Sequence, residues 1–253
     1  MNSQDTQIGF DKFAPFIESQ LRVSGIGSVS LPQETPKLAI TISRQSGSGG
    51  HAVGEKLAQY LQAHSPQPAL PWMVFDRNLV EQVLEDHHLP QHLVRLMPED
   101  RVSDLTDMLH QMFGLHPPFW TLVHQTSETI LRLAKQGSVI LIGRGANLAT
   151  KNVPHAFHVR LVGSLERRIE HTRQIRNVDR KTALDLIQRE DDGRKRYLKK
   201  YFNQDIDDPL LYDCILNTDL VSYDDAARLI ADAALRQVEK QSPAHRARAI
   251  SSK

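Results

Sequence analysis

KLAITISRQSGSGGHAVGEKLAQYL, residues 37–61, decides the fold. It opens with apolar and β-branched residues from Leu38 to Ile42, a short run typical of a buried strand. Ser46, Gly47, Ser48, Gly49 and Gly50 follow in close order. A helical pattern then takes over, with Ala52, Val53, Leu57, Ala58 and Leu61 on one face. Strand, glycine-rich turn and helix together aim backbone N–H groups and a helix N-terminus at an anion, most often a phosphate. Residues 46–50, with His51 at the start of the helix, are therefore the candidate phosphate cradle.

Composition narrows the class. A net charge of +1 gives no global field toward nucleic acid or membrane, so any anion site must come from local clusters. The single cysteine, Cys214, rules out an intrachain disulfide and a cysteine-based metal cluster. It fits a reducing compartment. No signal-peptide pattern and no membrane-length apolar run are visible, and the expected location is the cytoplasm. The histidines at 87, 88, 92, 110, 116 and 124 are scattered without the ligand spacing of a zinc site.

Outward from the cradle, residues 1–36 read as a short helix (Phe10, Phe13, Phe16, Ile17, Leu21) and a Gly/Pro linker. The helix packs on the domain or on a second copy, a possible route to a homo-oligomer. Beyond the first helix, residues 64–71 are a loop and residues 72–75 a second strand ending at Asp76-Arg77. An acid and a base at a strand's C-terminal end stand where α/β folds bind ligands, although Asp76 is equally suited to capping the next helix. Residues 87–136 read as helices broken at prolines, with a longer one from Trp120 to Leu133. Residues 138–142 (SVILI) form a strand that runs into Gly143-Arg144-Gly145. The flanking glycines allow a sharp turn that presents a guanidinium, either to a phosphate or to a nearby carboxylate.

A strand over residues 155–162 precedes two arginine-bearing helices, capped by Ser164 and Asp179. Arg173 and Arg176 lie on the first, Arg189 and Arg196 on the second. Glu190, Asp191 and Asp192 among them suit a solvated surface, but two such helices after a phosphate loop also suit a lid over transferring phosphates. A last strand over 212–217, a helix over 225–239 and a polar, disordered tail over 241–253 complete the chain. The tail's three Lys/Arg residues are too few for nucleic-acid binding. Alternating strands and helices predict an α/β three-layer fold around a parallel sheet.

Five pieces, in order, resemble the cytidylate kinase-like family of nucleoside monophosphate kinases: ITISRQSGSGG, FDRNLVEQ, ILIGRGAN, VRLVGSLERRIEH and REDDGRKRYLKKYF…DPLLYDCILNT. The resemblance implies a P-loop kinase domain over residues 37–240. Within it would lie a helical acceptor region (76–136) and an arginine-bearing lid (170–202). It implies ATP as phosphoryl donor with Mg²⁺, and a (deoxy)nucleoside monophosphate, most simply a cytidylate, as acceptor. By the same resemblance residues 46–50 bind donor phosphates, Arg144 holds the monophosphate, and Arg189 and Arg196 contact the acceptor alongside Asp76 and Arg77. Arg173 and Arg176 would neutralise the phosphoryl group in transfer.

The sequence departs from the standard G-x-x-x-x-G-K-[ST] loop. Arg44 stands at the first glycine position, Gly50 at the lysine position and Ala52 at the hydroxyl position. Two compensations are open: Arg44 supplies the missing cation, or a lid arginine does. Ser46 or Ser48 would then help place Mg²⁺. Gly193 replaces the aspartate that reads cytosine in typical cytidylate kinases, which leaves the base open. The rival readings are a nucleotide-binding regulator without turnover and a kinase for another small phosphorylated acceptor.

Overall fold

The computed structural model describes residues 38–64, 71–76, 118–143 and 145–241. The expected N-terminal helix, the region 77–117, Arg77, Arg144 and the tail from residue 242 lie outside the described residues, whereas Gln241, expected in the tail, ends the last helix.

Five parallel strands form one sheet in the order β2-β3-β1-β4-β5. They are β1 (Ala39–Arg44), β2 (Met73–Phe75), β3 (Val139–Ile142), β4 (Ala156–Val162) and β5 (Cys214–Asn217). The helices are α1 (Gly50–His64), α2 (Pro118–Gln136), the four-residue α3 (Ala146–Ala149), α4 (Leu165–Arg176), α5 (Arg180–Phe202) and α6 (Tyr223–Gln241). Parallel strands must be joined by crossovers, and these helices cover both faces of the sheet. That is the predicted α/β architecture.

Side chains alternate across each strand, so β1 feeds two cores. Leu38, Ile40 and Ile42 pack with Val53, Leu57 and Leu61 of α1 and with Ala226, Ala227, Ile230, Ala231 and Ala234 of α6. Ala39 on the opposite face packs with Val139, Leu141, Ile130 and Ala134. Truncating a fully buried residue such as Ile40 to alanine removes about 2–5 kcal/mol. Because β1 is central, its C-terminal end opens onto the middle of the sheet edge, where α/β folds place ligands.

Local signals set the helix starts. The Ser164 side chain accepts from Arg167 N to cap α4, and Asp179 accepts from Thr182 N to cap α5. The Ser222 side chain, just before α6, accepts from Asp225 N at 3.1 Å. Asn177, in the left-handed region at φ 49°, ends α4 and turns the chain into α5. Residues 155 and 212–213, anticipated as strand, lie just outside β4 and β5. The Asp213 side chain there accepts from the His158 backbone N–H at 2.7 Å.

Candidate phosphate-transfer site

The glycine-rich turn holds itself together. Ser48 Oγ donates to the Gln45 carbonyl at 2.8 Å, and Gln45 N donates to Leu161 O at 3.0 Å, which ties the turn to β4. Gly47 and Gly49 have φ of +80° and +82°, conformations that side chains strongly disfavour. Neither position has room for one. A Cβ at Gly47 would lie 2.5 Å from the Arg168 carbonyl oxygen, and one at Gly49 would lie 2.3–2.6 Å from the Tyr223 ring. The turn therefore fits tightly against α4 and the start of α6.

The lysine position has a different explanation. A Cβ at Gly50 would meet Arg44 Cγ at 3.0 Å and Arg44 Cβ and Cδ at 3.4 Å. The aliphatic stem of Arg44 occupies the space where a side chain at residue 50 would begin. Its guanidinium reaches Asp76 at 3.5 Å, and Asp76 also lies 3.7 Å from His51. The Asp76 carboxylate thus joins the end of β2 to the loop.

On α4 and α5 the structure selects residues that the sequence did not single out. Asp191 Oδ1 accepts from the Ser46 backbone N–H at 2.7 Å, and the Ser46 hydroxyl donates to Glu190. Arg168 donates to the Ser46 carbonyl at 3.1 Å and to Asp191 at 2.7 Å. Arg194 donates to both Asp191 (3.0 Å) and Glu190 (3.2 Å), and Arg176 to Glu190 (2.6 Å). Glu190 and Asp191 therefore face the loop. They are not part of a solvated surface, because α4 and α5 fold back over the turn.

Of the lid arginines read from sequence, Arg176 belongs to this cluster. Arg173 is exposed and pairs with Glu170 of its own helix at 2.8 Å. Arg189 and Arg196 are exposed on α5. Burial acts to raise the Glu190 carboxyl pKa, but the Ser46 hydroxyl and the Arg194 and Arg176 charges outweigh it, and the group is held below the usual carboxylate range.

His171 and Tyr223 fix the turn from behind. His171 Nδ1–H donates to the Gly47 carbonyl at 2.8 Å, and its Nε2 shares a 3.2 Å hydrogen bond with Tyr223 Oη. Burial pushes the Tyr223 phenol pKa up, which keeps it protonated. Deeper in the sheet, Arg160 is buried and bonds Ser43 Oγ at 3.0 Å and Asp207 at 2.6 Å. A cleft of about 250 Å³ lies between these groups, bordered by Arg44, Gln45, Arg168, Asp191 and Arg194. Among the described residues no group of three or more His, Cys, Asp or Glu side chains forms a metal centre. No helix among them is long and apolar enough to cross a membrane.

Fold and site together define a kinase-type P-loop fold: a glycine-rich turn between the central strand and its helix, faced by two arginine-bearing helices. The chain belongs to the cytidylate kinase-like family, whose model matches residues 39–220. It is 36% identical over 91 residues to a cytidylate kinase of Methanocaldococcus jannaschii, a match covering 35% of this chain and 51% of that protein. The chain thus spans about half the length of that relative. A crystal structure of an uncharacterized protein from Eubacterium ventriosum ATCC 27560 superposes with a TM-score of 0.58 at 21% identity, over 78% of this chain and 98% of that one. At that identity the likeness concerns the fold. A gluconokinase from Sinorhizobium meliloti 1021 aligns with a TM-score of 0.44 at 14% identity, over 82% and 95% of the two chains.

Proposed function

We propose that the protein transfers the γ-phosphoryl group of ATP to a (deoxy)nucleoside monophosphate, a cytidylate before others. Family membership supports a phosphotransferase. The observation that carries the finer reading is the Arg44 stem lying in the space of the absent lysine. It puts a permanent cation beside a turn whose amides and helix N-terminus suit the donor phosphates. The bond from the γ-phosphorus to the β,γ-bridging oxygen breaks, and one forms to a phosphate oxygen of the acceptor. ADP leaves. The acceptor oxygen is already anionic, so no general base is required.

Arg44, Arg173 and Arg176 are assigned to charge neutralisation in transfer. Residues 46–50 and His51 are assigned to the donor, and Asp76, Arg77, Arg144, Arg189 and Arg196 to the acceptor. Mg²⁺ prefers oxygen ligands and keeps much of its water. Either the Ser46 hydroxyl, which donates to Glu190, or the Ser48 hydroxyl, which donates to the Gln45 carbonyl, is assigned to help place it. When bound with ATP, Mg²⁺ would neutralise charge building on the β- and γ-oxygens.

The test is ADP release with ATP, Mg²⁺ and a panel of ribo- and deoxyribonucleoside monophosphates, for wild type and Arg44→Ala. Expected is acceptor-dependent release that falls by roughly 10²–10³ in the variant while its fold is kept. Release with a different phosphorylated acceptor would keep the kinase and discard the cytidylate. No release, with ATP still raising the melting temperature, would replace the enzyme by a nucleotide-binding regulator. The absence of a lysine at residue 50 favours that second reading.

A further inference from the structure

Glu190 and Asp191 are carboxylates on the part of the turn that a phosphate needs. An anion seated there would accept from the Ser46 amide, and Asp191 Oδ1 already does so at 2.7 Å. A donor phosphate would also draw nearby guanidinium groups. Arg168, Arg176 and Arg194 instead converge on these two carboxylates at 2.6–3.2 Å. Two negative groups, one loop amide, one hydroxyl and three guanidinium groups thus meet at the turn.

The carboxylates come from α5, whereas the amide and hydroxyl belong to the turn. The set therefore bridges two parts of the chain that are 144 and 145 residues apart in sequence. The chain reverses between α4 and α5 at Asn177, so α5 is carried on a tight left-handed turn.

We propose that Glu190 and Asp191 are an internal stand-in for the donor phosphates: they occupy the Ser46 donors in the ligand-free protein, and the nucleotide's phosphates displace them and take over Arg168, Arg176 and Arg194. This rests on the phosphate-loop reading given above. The exchange is between anions of like sign for the same donors. Phosphate brings more acceptor oxygens and more charge than a carboxylate, so it wins the arginines while α5 moves off the turn. The stand-in has two effects. It keeps a cluster of arginines ordered without ligand, and it lowers the apparent affinity for phosphate by competition.

The experiment is calorimetric titration of inorganic pyrophosphate, and of ATP, without Mg²⁺, into wild type, Asp191→Asn and Glu190→Gln. Both substitutions keep size and remove charge. Melting curves check the fold, and if one variant does not fold the other decides. The expected result is a dissociation constant about tenfold lower in the variants than in wild type, since a like charge has been removed from the seat. Binding by wild type with equal or weaker binding by the folded variants overturns the stand-in and leaves the phosphate loop intact. Absence of binding by wild type and both variants overturns the phosphate-loop reading itself, and the stand-in with it. Binding by the variants alone supports the stand-in in its strongest form.

Discussion

Arg44 and Gly50 make a reciprocal pair, and exchanging them tests the account of the lysine-free turn. In Gly50→Lys the new Cβ lies 3.0 Å from Arg44 Cγ, roughly 0.5–1 Å inside the best carbon–carbon separation. The remaining methylenes must pass the same stem. Overpacking of this kind costs about 1–3 kcal/mol. Arg44→Gly removes the stem, loses a 3.5 Å contact to Asp76 that is largely shielded from solvent, and adds a glycine to a strand end at about 0.5–1 kcal/mol. The double variant Arg44→Gly/Gly50→Lys clears the clash and restores the usual glycine and lysine positions. Urea denaturation of the four proteins should give a coupling of about 1–3 kcal/mol in favour of the double variant. ADP release should return toward wild type only in the double variant. Additivity within about 0.5 kcal/mol, or a Gly50→Lys protein as stable as wild type, would refute the claim that Arg44 fills the place of residue 50.

Three further outcomes are expected. Gly49→Ala meets both a φ of +82° and the Tyr223 ring; urea melts should show a loss of more than about 2 kcal/mol, and adding Tyr223→Ala should recover only part of it, because the backbone strain remains. Burial holds the His158 imidazole pKa below its ordinary value against the opposing charge of Asp213. The unfolded chain then binds the proton first, so the stability from this group is complete above the ordinary histidine pKa and is lost as pH falls through it toward the folded value. Melts in urea between pH 8 and 5 should show this decline, and His158→Gln should flatten it. Glu190 adds a loss at lower pH: its folded pKa is depressed, so its contribution is present above the ordinary carboxylate value and disappears as pH falls through the folded one.

The sheet was legible because its central strands are continuous apolar runs. AITI, the first four residues of β1, and VILI are buried on both faces and read as strands without help from their neighbours. The turn was legible because glycines at 47 and 49 have few other uses beside a strand and a helix. The two basic helices after β4 were legible as helices but not in their phase.

In α5 the buried positions Ala183, Ile187, Arg194, Tyr197 and Leu198 trace one face, and Asp191 falls four residues after Ile187 on the same stripe. A charged residue on an apolar stripe is the signal that was there to be used; it marks Asp191 and Arg194. Arg189 and Arg196 recur at a helical spacing of seven but sit off that stripe, and they face solvent. The His171–Tyr223 contact and the Arg160–Asp207 pair span 52 and 47 residues. No local pattern encodes such pairs, because long-range packing sets them.

The seat of Tyr223 against Gly49 has a consequence for how the protein is made. The turn at 46–50 belongs to the first strand–helix unit described, yet one wall of it is the first residue of the last helix, and α1 shares its core with α6. A ribosome therefore releases the glycine turn long before it releases the residue that holds it in shape. Through most of synthesis β1 and α1 have neither α6 to cover their apolar face nor Tyr223 to back the turn. Any phosphate seat is a late product of translation, and shortening the chain before residue 223 removes it even though every residue of the turn is present.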